Sequence, residues 1–188
     1  GLGQTLGIDL PGEVSGLVPT REWKWEVKDE VWYPGDTMHL AIGQGNLLVT
    51  PLQMANYIAA IANEGIVWKP QVFKAIKDNS TDMITASLPV KLNENMIDSE
   101  YIDIVRQGMR AAVTSGSARQ LNTALYEAAG KTGTAQVGND KEPHSWFVGF
   151  APYDNPEIAW AIVVENAGES TDAAVPIVKE VLDWYFAR

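Results

Sequence analysis

The chain has 188 residues, a formal net charge of −10 and a sequence pI near 4.6; 46% of its residues are hydrophobic and 20% are charged. That balance buries a core and excludes a disordered chain. The acidic surplus argues against sequence-independent nucleic-acid binding, which needs a basic face, and the lack of cysteine excludes disulfides and thiolate metal sites.

Residues 1–37 are dense in turn formers, from Gly1, Gly3 and Gly7 to Pro34 and Gly35, and read as irregular. Trp23, Trp25 and Val27 alternate there, which suggests a short strand, with the tryptophans packing loops onto the body. Residues 41–65 carry the clearest helix signals. Thr50 is a natural N-cap, Pro51 fits the first helical position, and Gly65 suits the C′ position. Leu52, Ala55, Ile58, Ala59 and Ala62 form one apolar stripe, and Met54 and Ile61 add a second, so this helix should be buried. Extended chain follows to Ile76, with Pro70 favouring an edge or irregular path. "DNSTD" at 78–82 is a turn.

A second helix is expected over 99–118, capped by Ser99, apolar through Ile102, Val105, Met109 and Ala112, and ended by Gly116. From 127 the period becomes that of strands. Three are expected, near 128–137, 145–151 and 158–165, joined by the short links "GNDKEPH" and "PYDNPE" and therefore antiparallel. A terminal amphipathic helix should lie on that sheet through Val175, Val178, Val181, Leu182 and Tyr185. The fold class is α+β: residues 1–126 mainly helix and loop, residues 127–188 a three-strand meander plus its helix. Three strands make a small sheet, which further strands would complete.

The stretch Lys131-Thr132-Gly133-Thr134 places an ammonium, two hydroxyls and a glycine on one strand. Alternation sends Lys131 and Gly133 to one side and Thr132 and Thr134 to the other. The charge and the directional donors suit a carboxylate, Gly133 permits close approach, and an edge N–H can face a developing oxyanion. The same tetrapeptide also fits a strand end with a solvated lysine. It is not a phosphate loop, because the Gly-x-x-x-x-Gly-Lys spacing is absent. His39 and His144 are the only histidines and form no metal-ligand pattern, so no metal and no cofactor is expected. His144 is weighed as a structural residue or a substrate contact.

"GKTGTAQV" followed by "HSWFVGFAP" resembles the third motif of the penicillin-binding transpeptidases. "GIDLPGEVSGLVPT", "REWK", "YPGDTMHLAIGQG" and "VTPLQMANYIAAIANEG" are similar to the class B, elongation-type members, the penicillin-binding protein 2 group. The likeness spans nearly the whole chain. It implies the penicillin-binding/serine β-lactamase-like transpeptidase fold, with residues 1–188 as its C-terminal half.

The family uses three motifs: Ser-x-x-Lys, Ser-x-Asn and Lys-Ser/Thr-Gly. Only the third occurs here; no serine of this chain begins either of the others. The chain begins at Gly1 in what reads as the interior of a longer sequence, so the nucleophile is expected upstream and the isolated piece is expected to be inactive.

By the resemblance, Lys131 is the motif lysine that supports the serine relay, and it holds the substrate carboxylate with Thr132 and Thr134. Gly133 admits the substrate, and the Thr134 N–H is half of the oxyanion hole. "GQG" at 43–45 reads as scaffold.

The implied partners are D-Ala-D-Ala stem peptides, β-lactams, the remaining half of the domain and membrane proteins of cell elongation, with no nucleic acid. The implied location is the periplasmic, extracytoplasmic face of the bacterial inner membrane, with an N-terminal helical anchor outside these residues. Two alternatives share the fold: a catalytically inactive binding domain, and a D,D-carboxypeptidase, which differs in its acceptor. No Glu-x-x-x-Asn of the kind that positions a deacylating water occurs, which favours a synthetic enzyme over a β-lactamase.

Overall fold

The computed structural model describes residues 1–94, 97–138 and 140–188; Asn139, in the link expected at 138–144, lies outside them. The chain runs through helices α1 (Arg21–Lys28), α2 (Pro34–Ala41) and α3 (Pro51–Ala62), then short strands β1 (Val67–Trp68), β2 (Ala75–Lys77), β3 (Ile84–Ala86) and β4 (Lys91–Asn93). Helix α4 (Ser99–Thr114) and a 3₁₀ turn at Arg119–Leu121 lead into strands β5 (Ala129–Ala135), β6 (His144–Ala151) and β7 (Ile158–Val164). Helix α5 (Ala174–Phe186) closes the order.

The three long strands form an antiparallel sheet in sequence order, with Lys131 opposite Val148 and Val148 opposite Ala161. Alternation then sorts the core into two layers. Phe147 and Ala151 face Val175, Val178 and Leu182 of α5, with Leu121 and Val113 beside them. Val148, Phe150 and Ala129 face Ile58 and Ala62 of α3 and Met109 of α4. The sheet is thus the middle layer of an α+β sandwich. Among the described residues β7 pairs only with β6, so one sheet edge is open there.

Residues 21–28 form a helix, not the short strand that the Trp23/Trp25/Val27 alternation suggests. Thr20 decides it: its hydroxyl accepts from the Trp23 N–H at 3.0 Å, and Glu22 sits in the positive first turn. Trp23 and Val27 are also four apart, and three alternating residues do not separate the two periods. Trp25 is exposed, so it packs no loop.

Lys24 is buried, donating to Asp36 Oδ2 at 2.7 Å, with Glu30 at 3.3 Å and the Tyr33 ring nearby. Asp36 also accepts from the Tyr33 N–H, which fixes the start of α2. The hydrogen bond to Lys24 holds the Asp36 carboxyl below its usual range, and the hydrogen bond to Asp36 pushes the Lys24 ammonium above its own.

The signs of these shifts fix a stability profile. Asp36 contributes above the free carboxylate value of about 3.9, and its contribution disappears as pH falls through its lower folded value. Lys24 contributes below about 10.4 and loses that contribution only as pH rises past its raised folded value. Asp183, lowered by Lys179, acts in the same direction as Asp36. Thermal unfolding temperature should therefore be level from about pH 5 to 9 and drop below about pH 4, with a shallower acid drop in Asp36→Asn.

Helix α3 begins as its sequence signals, with Thr50 and Gln53 in a reciprocal capping box. Gln53 does more. It is buried, and its amide Nε2 donates to the carbonyls of Gln4 at 2.9 Å and Ser15 at 2.7 Å, tying the N-terminal loop to the helix. Gln53→Ala leaves the Gln4 and Ser15 carbonyls and the Thr50 N–H without their partly buried side-chain partner. The expected loss is about 2–3 kcal/mol in chemical denaturation. At the other end Glu64 takes the left-handed position (φ 67°), and the Gly65 N–H reaches the Ala60 carbonyl at 2.7 Å. Gly65 is therefore one residue further along than expected.

Helix α4 also shifts by one: Asp98 is its N-cap residue and Ser99 its first residue. Its buried residues are Ile102, Met109 and Val113, whereas Val105 is exposed. Arg106 fills the same track; its guanidinium donates to the carbonyls of Ala62 and Tyr153 at 2.6 Å each, over the Phe150 ring. Sequence periodicity discounts an arginine as core, although its stem and planar head do that work here. In α5 the buried positions are Ala174, Val175, Val178 and Leu182; Val181 is exposed. The links behave as their turn residues require: β2 and β3 make a hairpin around 78–83, and Pro70 separates β1 from β2.

Candidate functional site

The Lys131–Thr134 stretch lies within β5, which has β6 on one side and, among the described residues, no strand on the other. Two carbonyls show which groups face the free edge. Thr132 O accepts from Lys131 Nζ at 2.7 Å, and Thr134 O lies 3.4 Å from Gln44 Nε2. Neither donor belongs to β6. In an antiparallel ladder a residue's N–H and C=O point the same way, so the Thr132 and Thr134 N–H groups share that open edge.

The side chains divide as alternation requires. Thr132 is opposite Phe147 and Thr134 opposite Ser145, on the α5 face; Lys131 and Gly133 are on the α3/α4 face. Lys131 is exposed and joins no ion pair among the described residues. Thr132 Oγ1 is 2.8 Å from Ser117 Oγ, in the turn after α4. Thr134 Oγ1 donates to Glu169 Oε2 at 3.3 Å.

The strand is braced from behind by the segment preceding α5. The Ser170 hydroxyl, itself buried, donates to Gly133 O at 3.1 Å. The buried Ser145 hydroxyl accepts from the Ala174 N–H at 3.2 Å, at the start of α5. Two serines thus anchor the same segment to neighbouring strands, and this keeps the edge of β5 rigid.

Past Thr134 the edge opens into a groove of about 560 Å³ lined by His39, Ile42, Gln44, Gly45, Thr134, Gln136, Pro143 and Glu169. The "GQG" segment, read from sequence as scaffold, therefore borders the site. His144 has a structural role: its Nδ1 accepts from the Asn166 N–H at 3.0 Å. No cluster of His, Cys, Asp or Glu suited to a metal occurs among the described residues.

Gly133 separates fold from function. A Cβ built there meets only Trp146 Cβ at 3.4 Å, an ordinary contact. The fold therefore does not demand glycine at this position. Gly133→Ala should leave the thermal unfolding temperature within about 2 °C of the parent, because surface changes usually stay within about 0.5 kcal/mol. Any slowing of ligand acylation in that variant then reports approach to the edge alone.

The sequence pattern of the penicillin binding protein transpeptidase domain matches residues 1–183. The chain belongs to that family. Curated relatives of the chain include the peptidoglycan D,D-transpeptidase MrdA of Acinetobacter baumannii, 37% identical over 199 residues that cover 98% of this chain and 29% of the relative. Penicillin-binding protein 2A of Bacillus subtilis is 36% identical over 205 residues, covering 99% of this chain and 27% of its own length. Among solved structures, Pseudomonas aeruginosa PBP2 in complex with WCK 5153 superposes with a TM-score of 0.83 at 39% identity, over 98% of this chain and 41% of that one. The Helicobacter pylori PBP2–MreC complex gives a TM-score of 0.78 at 32% identity, over 98% of this chain and 33% of that one. The chain therefore spans less than a third of these curated relatives' length.

Sequence reasoning locates the strand but misses the residues that contact it: Ser117, Gln44, Glu169 and Ser170. Each lies in a turn or loop between 15 and 90 positions from its partner. A serine in "TSGSA" or "GES" carries no periodic signal that points to a strand so far away.

Proposed function

We propose that this chain is the C-terminal half of a peptidoglycan D,D-transpeptidase domain of the penicillin-binding protein 2 type. Its Lys131–Thr134 edge takes the terminal carboxylate of D-Ala-D-Ala donor peptides and of β-lactams. The Lys131 ammonium supplies the charge and Thr132 and Thr134 the directional donors. The Thr134 N–H faces the oxyanion of the tetrahedral intermediate. The attacking serine comes from outside residues 1–188, since no Ser-x-x-Lys occurs within them. In the whole enzyme the serine oxygen bonds to the donor carbonyl carbon, terminal D-alanine leaves with a proton, and an amine then takes the acyl group.

The observation that carries this reading is the exposed Lys131 ammonium, without an ion-pair partner among the described residues, on a sheet edge whose Thr134 N–H is open. Membership of this family supports a reaction at the periplasmic side of the inner membrane. None of the described helices is long and apolar enough to cross a membrane, so an anchor would be supplied by chain outside these residues. The Helicobacter pylori complex supports a protein of the MreC kind as a partner class.

Labelling with a fluorescent penicillin tests the proposal. The full-length protein should label covalently at a serine outside these residues, and residues 1–188 alone should not. A folded full-length protein that stays unlabelled would sink the reading and leave a non-catalytic carboxylate-binding domain.

A further inference from the structure

The two threonine hydroxyls of the edge are held differently. Thr134 Oγ1 faces the Glu169 carboxylate at 3.3 Å, a group that only accepts, so its one proton is already engaged. Thr132 Oγ1 faces another hydroxyl, Ser117 Oγ, at 2.8 Å, and either oxygen can donate to the other. Ser117 comes from outside the sheet, fifteen residues earlier in the chain. The turn that carries it is tightly built. The Ser115 N–H donates to the Ala111 carbonyl and the Ala118 N–H to the Ala112 carbonyl, each at 2.9 Å, which closes the end of α4. A Cβ on Gly116 would lie 2.8 Å from Ala112 Cα and 2.9 Å from the Ala112 carbonyl oxygen, so the turn packs against the helix as only glycine allows. Ala118 is fully buried in the core beneath α5. Ser117 is therefore fixed by both its neighbours, while it is itself exposed and its hydroxyl has no partner but Thr132 among the described residues.

We propose that Ser117 is a positioning residue of the carboxylate site: it donates to Thr132 Oγ1 and so aims the Thr132 proton at the ligand's carboxylate. This rests on the transpeptidase reading, in which the Lys131–Thr134 edge takes that carboxylate. The Lys131 ammonium sits 2.7 Å from the Thr132 carbonyl, so an anion paired with it lies beside Thr132. A threonine hydroxyl has a single proton. If Thr132 gives it to the ligand, Thr132 can only accept from Ser117, and the Ser117 proton is free to be given. With a ligand bound the pair thus has one consistent direction, from Ser117 to Thr132 to the carboxylate. Each bond in such a chain strengthens the next. Ser117 touches no ligand atom in this arrangement; it acts through Thr132 alone.

The test compares two thioester donors with the same N-acetyl-D-alanyl acyl group on the full-length protein. One carries mercaptoacetate as leaving group, which supplies the carboxylate; the other carries ethanethiol, which gives Thr132 nothing to hold. Ser117→Ala should lower the second-order acylation rate constant for the mercaptoacetate ester about five-fold, as the loss of one net hydrogen bond implies. It should leave the S-ethyl ester unchanged. Ser117→Thr keeps the hydroxyl and should retain the parent's preference for the mercaptoacetate ester. In a Thr132→Val background, where the relay has no second member, Ser117→Ala should cost nothing further. Equal slowing of both esters, slowing of neither, a Ser117→Thr protein as slow as Ser117→Ala, or an undiminished effect beside Thr132→Val would each overturn the proposal while leaving the transpeptidase reading in place. Failure of the unaltered protein to form an acyl-enzyme at all would overturn both.

Discussion

Lys131→Ala in the full-length protein is expected to slow penicillin acylation by about 100- to 1,000-fold, the range found when one preorganised donor is removed from an acyl-transfer site. The expectation follows from where the ammonium is and what it lacks. Its one hydrogen bond goes to the neighbouring Thr132 carbonyl at 2.7 Å, which parks the head group on the open edge. No carboxylate of the described residues neutralises it, so its charge remains available to an anionic ligand. A charge-assisted bond to that ligand is about twice as strong as a neutral one. The threonine hydroxyls cannot replace the charge, because Thr132 is shared with Ser117 and Thr134 with Glu169. Folding should be little affected, since the side chain is exposed and outside both core clusters. Equal unfolding temperatures with a collapsed labelling rate would support the role. A labelling rate within about three-fold of the parent would remove Lys131 from the site.

How much of this was readable beforehand differs by element. The three strands and their antiparallel order follow from short turn-rich links and period-two runs, and the observed strand ends lie within about two residues of the expected ones. The Thr50-Pro51 start of α3 is equally plain, because capping is local chemistry. What escaped is non-local. Nothing in "REWKWEVK" shows that Lys24 will be buried against Asp36 twelve residues on, and without that pairing the segment looks too polar and too aromatic for a helix. Arg106 enters the core only because the Ala62 and Tyr153 carbonyls wait for it. In the site the same division holds. The donors of β5 are visible as a motif, whereas Ser170 and Gln44 are brought to it by the chain's return and by the turn that follows α2.

Gly149→Ala should be among the most damaging single methyl additions to this molecule. Gly149 pairs with Gly130 on β5 and with Trp160 on β7, on the sheet face toward α5. A Cβ on Gly149 would lie 2.4 Å from the Ala129 carbonyl oxygen and 2.4 Å from Trp160 Cζ2; one on Gly130 would lie 2.7 Å from the Phe147 ring. The two facing glycines therefore leave a gap that two aromatic rings occupy, Phe147 and Trp160, with centroids 5.8 Å apart. A side-chain end can swing away, but the Ala129 carbonyl is fixed in the ladder. The methyl must push β5 and β6 apart or evict the indole. Overpacking costs typically 1–3 kcal/mol, and a backbone obstacle puts this case near 3. For a chain of this size that is a drop of about 6–12 °C in unfolding temperature. Because Gly130 immediately precedes Lys131, the same displacement should slow acylation in the full-length protein, unlike a purely remote loss of stability. Gly133→Ala, on β5 three residues beyond Gly130 and with only an ordinary contact at its Cβ, is the matched control. If both variants melt with the parent, the aromatic-over-glycine packing is not what holds the motif strand in place.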